Sequence, residues 1–154
     1  MGERKTHFLY PAALYASREP TTVSTILGSC VAVCLWDKQL SIGGINHFML
    51  PLWNGQGLAS PKYGNIAIEK LVAKMESLGS QRGDLVAKVF GGGAVIDTGS
   101  HFHIGDRNIE MALESLKELG IPVVARSVGG TNGRKLEYDT ETGAVRQRYI
   151  QKTM

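Results

Sequence analysis

The order of apolar and polar residues divides this chain into several short strands and two helices. The run VAVCLW at residues 31–36 is apolar throughout, which is typical of a strand buried on both faces. Apolar stretches bounded by glycine, proline and polar turns predict four more strands, in TTVSTIL, SIGGINHFMLP, LVAKVF and PVVARSV. RKLEYDTETGAVRQRYI predicts a β-hairpin that turns at DTETG, and the apolar residues before Pro11 predict an edge strand.

Two segments have the apolar spacing of amphipathic helices. The first carries its apolar stripe at Ile68, Leu71, Val72, Met75 and Leu78. The second carries its stripe at Ile109, Ala112, Leu113, Leu116 and Leu119. Gly79 is placed to end the first helix, and Gly120 with Pro122 to end the second. We expect Asp106 to cap the start of the second helix.

Strands outnumber helices, and the two do not alternate regularly enough for a doubly wound sheet. The predicted fold class is therefore α+β, with layered mixed or antiparallel β-sheets flanked by two main α-helices. Residues 1–154 contain no repeat, linker or low-complexity tract, so we expect a single domain.

Composition narrows the function classes. The chain is 43% hydrophobic and 20% charged, with a net charge of +3, and has no basic run interleaved with aromatic residues, so nucleic acid is not an expected partner. No segment approaches the roughly 20 apolar residues of a membrane-spanning helix. Two cysteines are too few for a disulfide framework. We therefore expect free thiols in a cytoplasmic protein that does not insert into membranes.

Cys30 and His47 are the candidate catalytic pair. Cys30 follows Gly28-Ser29, a bend whose backbone N–H groups are candidates for an oxyanion hole. The short DKQLS turn makes the two strands around it antiparallel neighbours. If that turn centres between Lys38 and Gln39, Cys30 and His47 lie directly opposite one another, with their Cβ atoms about 5 Å apart.

Two other interpretations compete with this pair. Cys30 in an apolar stretch also fits a small core residue, which is our interpretation of Cys34. His101 and His103 in SHFHIGD, with Cys30 or His47, are candidate zinc ligands, although solvated loop histidines fit as well. The glycines in FGGGAV match no phosphate-binding motif and indicate a bulge or turn.

Five segments together closely resemble the CheD family of chemoreceptor glutamine deamidases: TILGSCVAVCLWD, GGINHFMLP, AKVFGGGAV, IGDRNIE and GGTNGRKLEYDTETGAV. The resemblance runs in order from about residue 8 to about residue 148. It implies that Cys30 is the nucleophile and His47 its base. The family's third catalytic group is a threonine six positions before the cysteine, where this chain has Ser24, with Thr25 next to it. An ungapped alignment favours Ser24, and the residue type favours Thr25.

The resemblance also implies a reaction, a fold and partners. The reaction is hydrolysis of glutamine side chains in methyl-accepting chemotaxis receptors, through a thioester and without a metal or cofactor. The fold implied is that of the catalytic domain of the cytotoxic necrotizing factor toxins, and the CheC phosphatase is a possible further partner. Trp53, Asn54 and Tyr63 are expected to border the site. A non-catalytic module that docks on receptors or on CheC is the alternative.

Overall fold

The computed structural model describes residues 4–94 and 103–150, and within these ranges nine strands and two α-helices form three layers. The strands are β1 (Lys5–Phe8), β2 (Leu14–Ser17), β3 (Thr21–Leu27), β4 (Val31–Asp37), β5 (Ile42–Asn46), β6 (Leu85–Gly91), β7 (Val123–Val128), β8 (Gly133–Asp139) and β9 (Val145–Ile150). The helices are α1 (Gly64–Ser77) and α2 (Ile104–Leu119). The α+β prediction is confirmed.

Two mixed sheets form the first two layers. The outer sheet has the strand order β1-β3-β8-β9, and the central sheet has the order β2-β5-β4-β6-β7. β1 runs parallel to β3 and β6 parallel to β7, while the other neighbours are antiparallel. The predicted N-terminal edge strand is β1, and the predicted C-terminal hairpin joins β8 to β9.

The central sheet is buried on both faces, which explains the unbroken apolar run of β4. Ala32 and Cys34 pack into the layer between the two sheets, and Val31, Val33 and Leu35 pack against the helices. Alternate residues of one strand therefore enter different cores, so neither set is polar.

Both helices lie on the same face of the central sheet. The apolar stripe of α1 is buried there, and Gly79 follows the helix with a φ of 110°. α2 ends at Gly120, which takes the left-handed conformation. The expectation that Asp106 caps α2 is wrong: the helix begins at Ile104 after His103, and Asp106 lies in its first turn. A carboxylate in the first turn still interacts favourably with the helix dipole.

The turn between β4 and β5 is longer than the sequence predicted. Asp37 pairs with Ile42, so the turn centres one residue later than expected. The Asp37 carboxylate accepts hydrogen bonds from the backbone N–H groups of Gln39 and Leu40, which supports the four-residue turn. Cys30 and His47 are therefore not directly opposite in the ladder, and that part of the prediction is wrong.

None of the helices in residues 4–94 and 103–150 has both the length and the apolar character needed to cross a bilayer.

Candidate active site

Cys30, His47 and Thr25 converge at one end of the layer between the two sheets. Cys30 immediately precedes β4, and His47 immediately follows β5. The antiparallel register continues past both strands, because Val31 and Phe48 exchange backbone hydrogen bonds of 3.1 and 2.9 Å. That register places His47 across from Ala32, two residues along the same face from Cys30. Cys30 and Cys34 are therefore both diagonal neighbours of His47, one on each side of Ala32, and of these two thiols only that of Cys30 is partly exposed.

Thr25 contacts the histidine, and Ser24 faces the other way. The Oγ1 atom of Thr25 lies 2.7 Å from the Nδ1 atom of His47. Thr25 is fully buried within alternating β3, so the side chain of its neighbour Ser24 projects from the opposite face of the strand. The geometry thus brings together His47 and Thr25, the member of the candidate hydroxyl pair that residue type favoured.

The hydrogen bonds around Thr25 determine the tautomer of His47. Thr25 Oγ1 also lies 2.7 Å from the carbonyl oxygen of Leu9, to which it donates its one proton. The hydroxyl must then accept a hydrogen bond from Nδ1–H of His47. Nε2 is left with a lone pair and, among the described residues, has no hydrogen-bond partner. A buried imidazole with a free Nε2 lone pair is suited to accept a proton.

The backbone of His47 is fixed by the segment before β2. Its N–H donates to the carbonyl of Ala13 at 3.1 Å, and its carbonyl accepts from the N–H of Ala12 at 2.8 Å. Ala12 has a φ of 67°, so the chain bends sharply there to reach both groups. His47 is buried, and this burial lowers its pKa to about 4.

Cys30 is partly exposed, whereas Cys34 is buried in the core. Burial raises the pKa of the Cys30 thiol, and its own backbone N–H opposes this rise in pKa. With the pKa of Cys30 raised and that of His47 lowered, both groups are neutral near pH 7. Both shifts favour a neutral thiol and a neutral imidazole over a thiolate–imidazolium pair in the resting protein.

The loop before Cys30 has three hydrogen-bonded carbonyl groups and two N–H groups without a partner in another described residue. Gly28, Ser29 and Cys30 accept hydrogen bonds from Gly93 N–H (3.0 Å), Asn108 Nδ2 (3.0 Å) and Gly92 N–H (2.9 Å) respectively. The N–H groups of Ser29 and Cys30 donate to no other residue within 4–94 and 103–150. An oxyanion hole requires fixed N–H groups of this kind, and here they adjoin the thiol of Cys30.

The sequence prediction missed two supports of this loop. Gly91 has a φ of 109°, and a Cβ atom there would lie 2.2 Å from the Cys30 carbonyl oxygen. The glycines of FGGGAV thus allow β6 to approach the loop of residues 28–30 closely; this loop carries the candidate nucleophile and is called the nucleophile loop below. Asn108 of α2 is fully buried and also binds the Met49 carbonyl at 3.0 Å. The one available signal was a polar residue beside the apolar stripe of α2.

None of the other predicted site residues that the structure describes forms a hydrogen bond with Cys30, His47 or Thr25. His101 lies outside the described residues, and His103 is exposed, with its Nδ1 4.0 Å from Asp106. Within the described ranges, no group of three or more potential metal ligands is found. The segment 52–62 forms a loop after His47, in which Trp53 bonds the Asn65 side chain and the Gln56 carbonyl. Asn54 also lies in this loop, and Tyr63 directly precedes α1.

Comparison with known proteins supplies independent information. Residues 49–149 match the family model described as CheD chemotactic sensory transduction. A probable chemoreceptor glutamine deamidase CheD of Sulfurimonas denitrificans is 46% identical over 153 residues, covering 98% of each chain. The protein of the same name from Trichlorobacter lovleyi is 51% identical over 142 residues, or 92% of this chain and 88% of that one.

Among solved structures, the hypothetical protein YfiH of Bacillus licheniformis aligns with 70% of this chain and 49% of its own, at 17% identity and a TM-score of 0.45.

Proposed function

The chain belongs to the CheD family, and on this premise we propose that it is a glutamine deamidase of chemotaxis receptors in which Cys30 is the nucleophile and His47 the base. The observation that carries the residue assignment is the hydrogen-bond chain Leu9–Thr25–His47, which leaves Nε2 of the imidazole as the proton acceptor on the face shared with Cys30. Thr25 is the third member of the site.

The proposed reaction begins with proton transfer from the Cys30 thiol to Nε2 of His47 as sulfur attacks the glutamine carboxamide carbon. The resulting tetrahedral oxyanion is bound by the N–H groups of Ser29 and Cys30. His47 then returns the proton to the nitrogen, the C–N bond breaks, and ammonia leaves a thioester on Cys30.

Water completes the cycle. It loses a proton to Nε2 of His47 and attacks the thioester carbonyl carbon. The C–S bond breaks, the thiolate regains a proton, and the product is a glutamate side chain. The net reaction converts one glutamine and one water into glutamate and ammonia. His47 is neutral at the start of each half-reaction, in agreement with its lowered pKa.

The surface beside the site supports a protein substrate. Met49, Leu50 and Leu52 follow His47 closely in the chain, and all three are exposed apolar side chains. Grouped exposed apolar residues are typical of surfaces that bind a partner. The proposed partner is the helical cytoplasmic region of a receptor, with CheC as a possible second partner, and this places the protein in the cytoplasm. A fold like that of the necrotizing factor toxins belongs to the same proposal.

The test is incubation with the purified cytoplasmic segment of a chemotaxis receptor. We expect ammonia release and a mass increase of about 1 Da at each modified glutamine, as amide nitrogen is replaced by oxygen. His47→Ala should abolish both while leaving the complex with the receptor intact. Receptor binding without any conversion by the wild-type protein would instead identify a non-catalytic docking module.

A further inference from the structure

Asn108 is a polar residue buried in α2 with an incomplete set of hydrogen bonds. Its side chain is fully buried, and its Oδ1 atom has no hydrogen-bond partner among the described residues. A buried polar group with one unpaired end is costly for stability, and an apolar residue of similar shape would avoid that cost. The need for an asparagine here is therefore best sought in the groups that its Nδ2 atom binds.

Those groups belong to the two segments that carry the candidate catalytic pair. Nδ2 donates to the carbonyl oxygen of Ser29, the residue before Cys30, and to that of Met49, two residues after His47. Both donor–acceptor distances are 3.0 Å. One planar amide group thus joins the nucleophile loop to the segment that leaves His47.

The Ser29 carbonyl has a different kind of hydrogen-bond donor from the carbonyls of the residues on either side. The carbonyls of Gly28 and Cys30 are held by backbone N–H groups, whereas that of Ser29 is held by a side chain. Because a peptide group is planar, the Ser29 carbonyl sets the direction of the Cys30 N–H, one of the two free amides beside the thiol.

The first turns of α2 pack closely against the glycines behind the nucleophile loop. A Cβ atom at Gly105 would lie 2.4 Å from the Gly92 carbonyl oxygen, and one at Gly92 would lie 2.4 Å from Ile109. Contact this close fixes the first turns of α2 against the glycines that hold the nucleophile loop. The position of Asn108 relative to the nucleophile loop is therefore set by the packing of α2.

From this geometry we infer that Asn108 is a positioning residue that aims the Cys30 N–H at the developing oxyanion. The inference deepens the proposed deamidase function and rests on it. If the inference is correct, loss of the Asn108 N–H donor slows the reactions of Cys30 that form an oxyanion. Reactions of the same thiol that form no oxyanion keep their rates.

The experiment compares two reactions of Cys30 in Asn108→Leu and Asn108→Asp. A short peptide whose glutamine carboxamide is replaced by an aldehyde adds reversibly to the thiol and forms a tetrahedral adduct with an oxygen in the oxyanion position. Alkylation by iodoacetamide involves no such oxygen. We expect aldehyde affinity and the kcat for receptor deamidation to fall roughly thirtyfold to hundredfold, with KM and the alkylation rate changed less than about threefold.

Leu116→Ala is the matched control, because Leu116 is also buried in α2 and is not among the partners of the nucleophile loop. It should lower thermal stability and leave the ratio of the two reactions unchanged. Equal losses in both reactions, or an unchanged kcat in the folded Asn108 variants, would overturn the inference. If Asn108→Leu does not fold, Asn108→Ala replaces it, and failure of all three variants to fold would show that Asn108 serves only the fold.

The two proposals fail in distinguishable ways. Aldehyde binding without receptor deamidation would refute the proposed function and still allow the Asn108 comparison. A wild-type protein that alkylates at Cys30 but does not bind the aldehyde has no oxyanion site, and this result would overturn the inference directly.

Discussion

The Nδ1 atom of His47 and the Oγ1 atom of Thr25 lie 2.7 Å apart, and the threonine hydroxyl simultaneously contacts the Leu9 carbonyl oxygen. A residue of the outer sheet thereby orients a residue at the end of the central sheet. Because the hydroxyl has one proton and gives it to Leu9, the imidazole must carry its proton on Nδ1. In the proposed mechanism, this leaves Nε2 of His47 as the atom that accepts the proton.

Removal of the Thr25 hydroxyl should therefore impair catalysis. Thr25→Val keeps the shape but leaves the Nδ1–H of His47 without an acceptor, so we expect kcat to fall roughly tenfold to hundredfold. Thr25→Ser keeps the acceptor and should retain most activity. Ser24→Ala is the matched control, since Ser24 projects from the other face of β3, and its kcat should match wild type. Loss of activity in Ser24→Ala with full activity in Thr25→Val would contradict the assignment.

The dependence of kcat/KM on pH should follow the lowered pKa of His47. The base must be neutral, so activity should fall only as pH approaches about 4, and no limb should appear near the ordinary histidine pKa of 6.5. The raised pKa of Cys30 places no acid limb in this range either. Initial rates measured between pH 4.5 and 8 test this expectation. A kcat/KM that falls to half of its plateau value near pH 6.5 would contradict it.

The same pKa shift makes stability depend on pH. The unfolded chain protonates His47 near pH 6.5, whereas the folded chain resists protonation until about pH 4. The folded state is therefore favoured in full above pH 6.5 and loses that advantage as pH falls toward 4. Between pH 7.5 and 4.5 the loss should be about 2 to 3 kcal/mol. Urea unfolding gives the free energy of unfolding of the wild-type protein and of His47→Gln at each pH. The difference between the two pH dependences measures the contribution of His47, and identical pH dependences would exclude it.

The reactivity of Cys30 should report a neutral thiol in the resting protein. Burial raises its pKa, so the rate of alkylation by iodoacetamide should increase with pH up to and beyond about 9. Cys34 is an internal control, because it is almost completely buried and should react only on unfolding. Mass spectrometry of the two cysteine-containing peptides separates their rates. A plateau reached below pH 7 would show a preformed thiolate instead.

Gly91 offers a test of the glycine packing behind the nucleophile loop. Its φ of 109° is strained for any other residue, and an added methyl group would collide with the Cys30 carbonyl oxygen. We expect Gly91→Ala to lower the free energy of unfolding by about 1 to 3 kcal/mol and to reduce kcat. Gly83→Ala is the control, since Gly83 has open space around its Cα and no positive φ. Equal stability of the two variants would refute the packing argument.

The sequence predicted both helices and every strand except β2, the short strand Leu14–Ser17, because those elements have a local signal. The apolar run of β4 reflects burial on two faces, and the stripes of α1 and α2 reflect burial on one. The register between β4 and β5 was predicted one residue early because the Asp37 side chain stabilises a longer turn, and a sequence pattern does not determine turn length.

The site was predictable in part for a related reason. Cys30 and His47 flank one hairpin, so local reasoning brought them near each other. Thr25, Leu9 and Asn108 reach the site from the outer sheet, the N-terminal segment and α2, and only the packing of layers brings them together. The choice between Ser24 and Thr25 depended on which face of β3 turns inward, and this follows from the pairing of the two sheets.

The most direct test of the central claim is the rate of receptor-glutamine deamidation by Cys30→Ala beside Cys34→Ala, measured by mass spectrometry of the modified receptor peptide. Both variants remove one thiol near His47, but only that of Cys30 is partly exposed and belongs to the loop with N–H groups that are unpaired among the described residues. We expect no conversion above background in Cys30→Ala and a rate within about threefold of wild type in Cys34→Ala. Deamidation by folded Cys30→Ala at the wild-type rate would contradict the account.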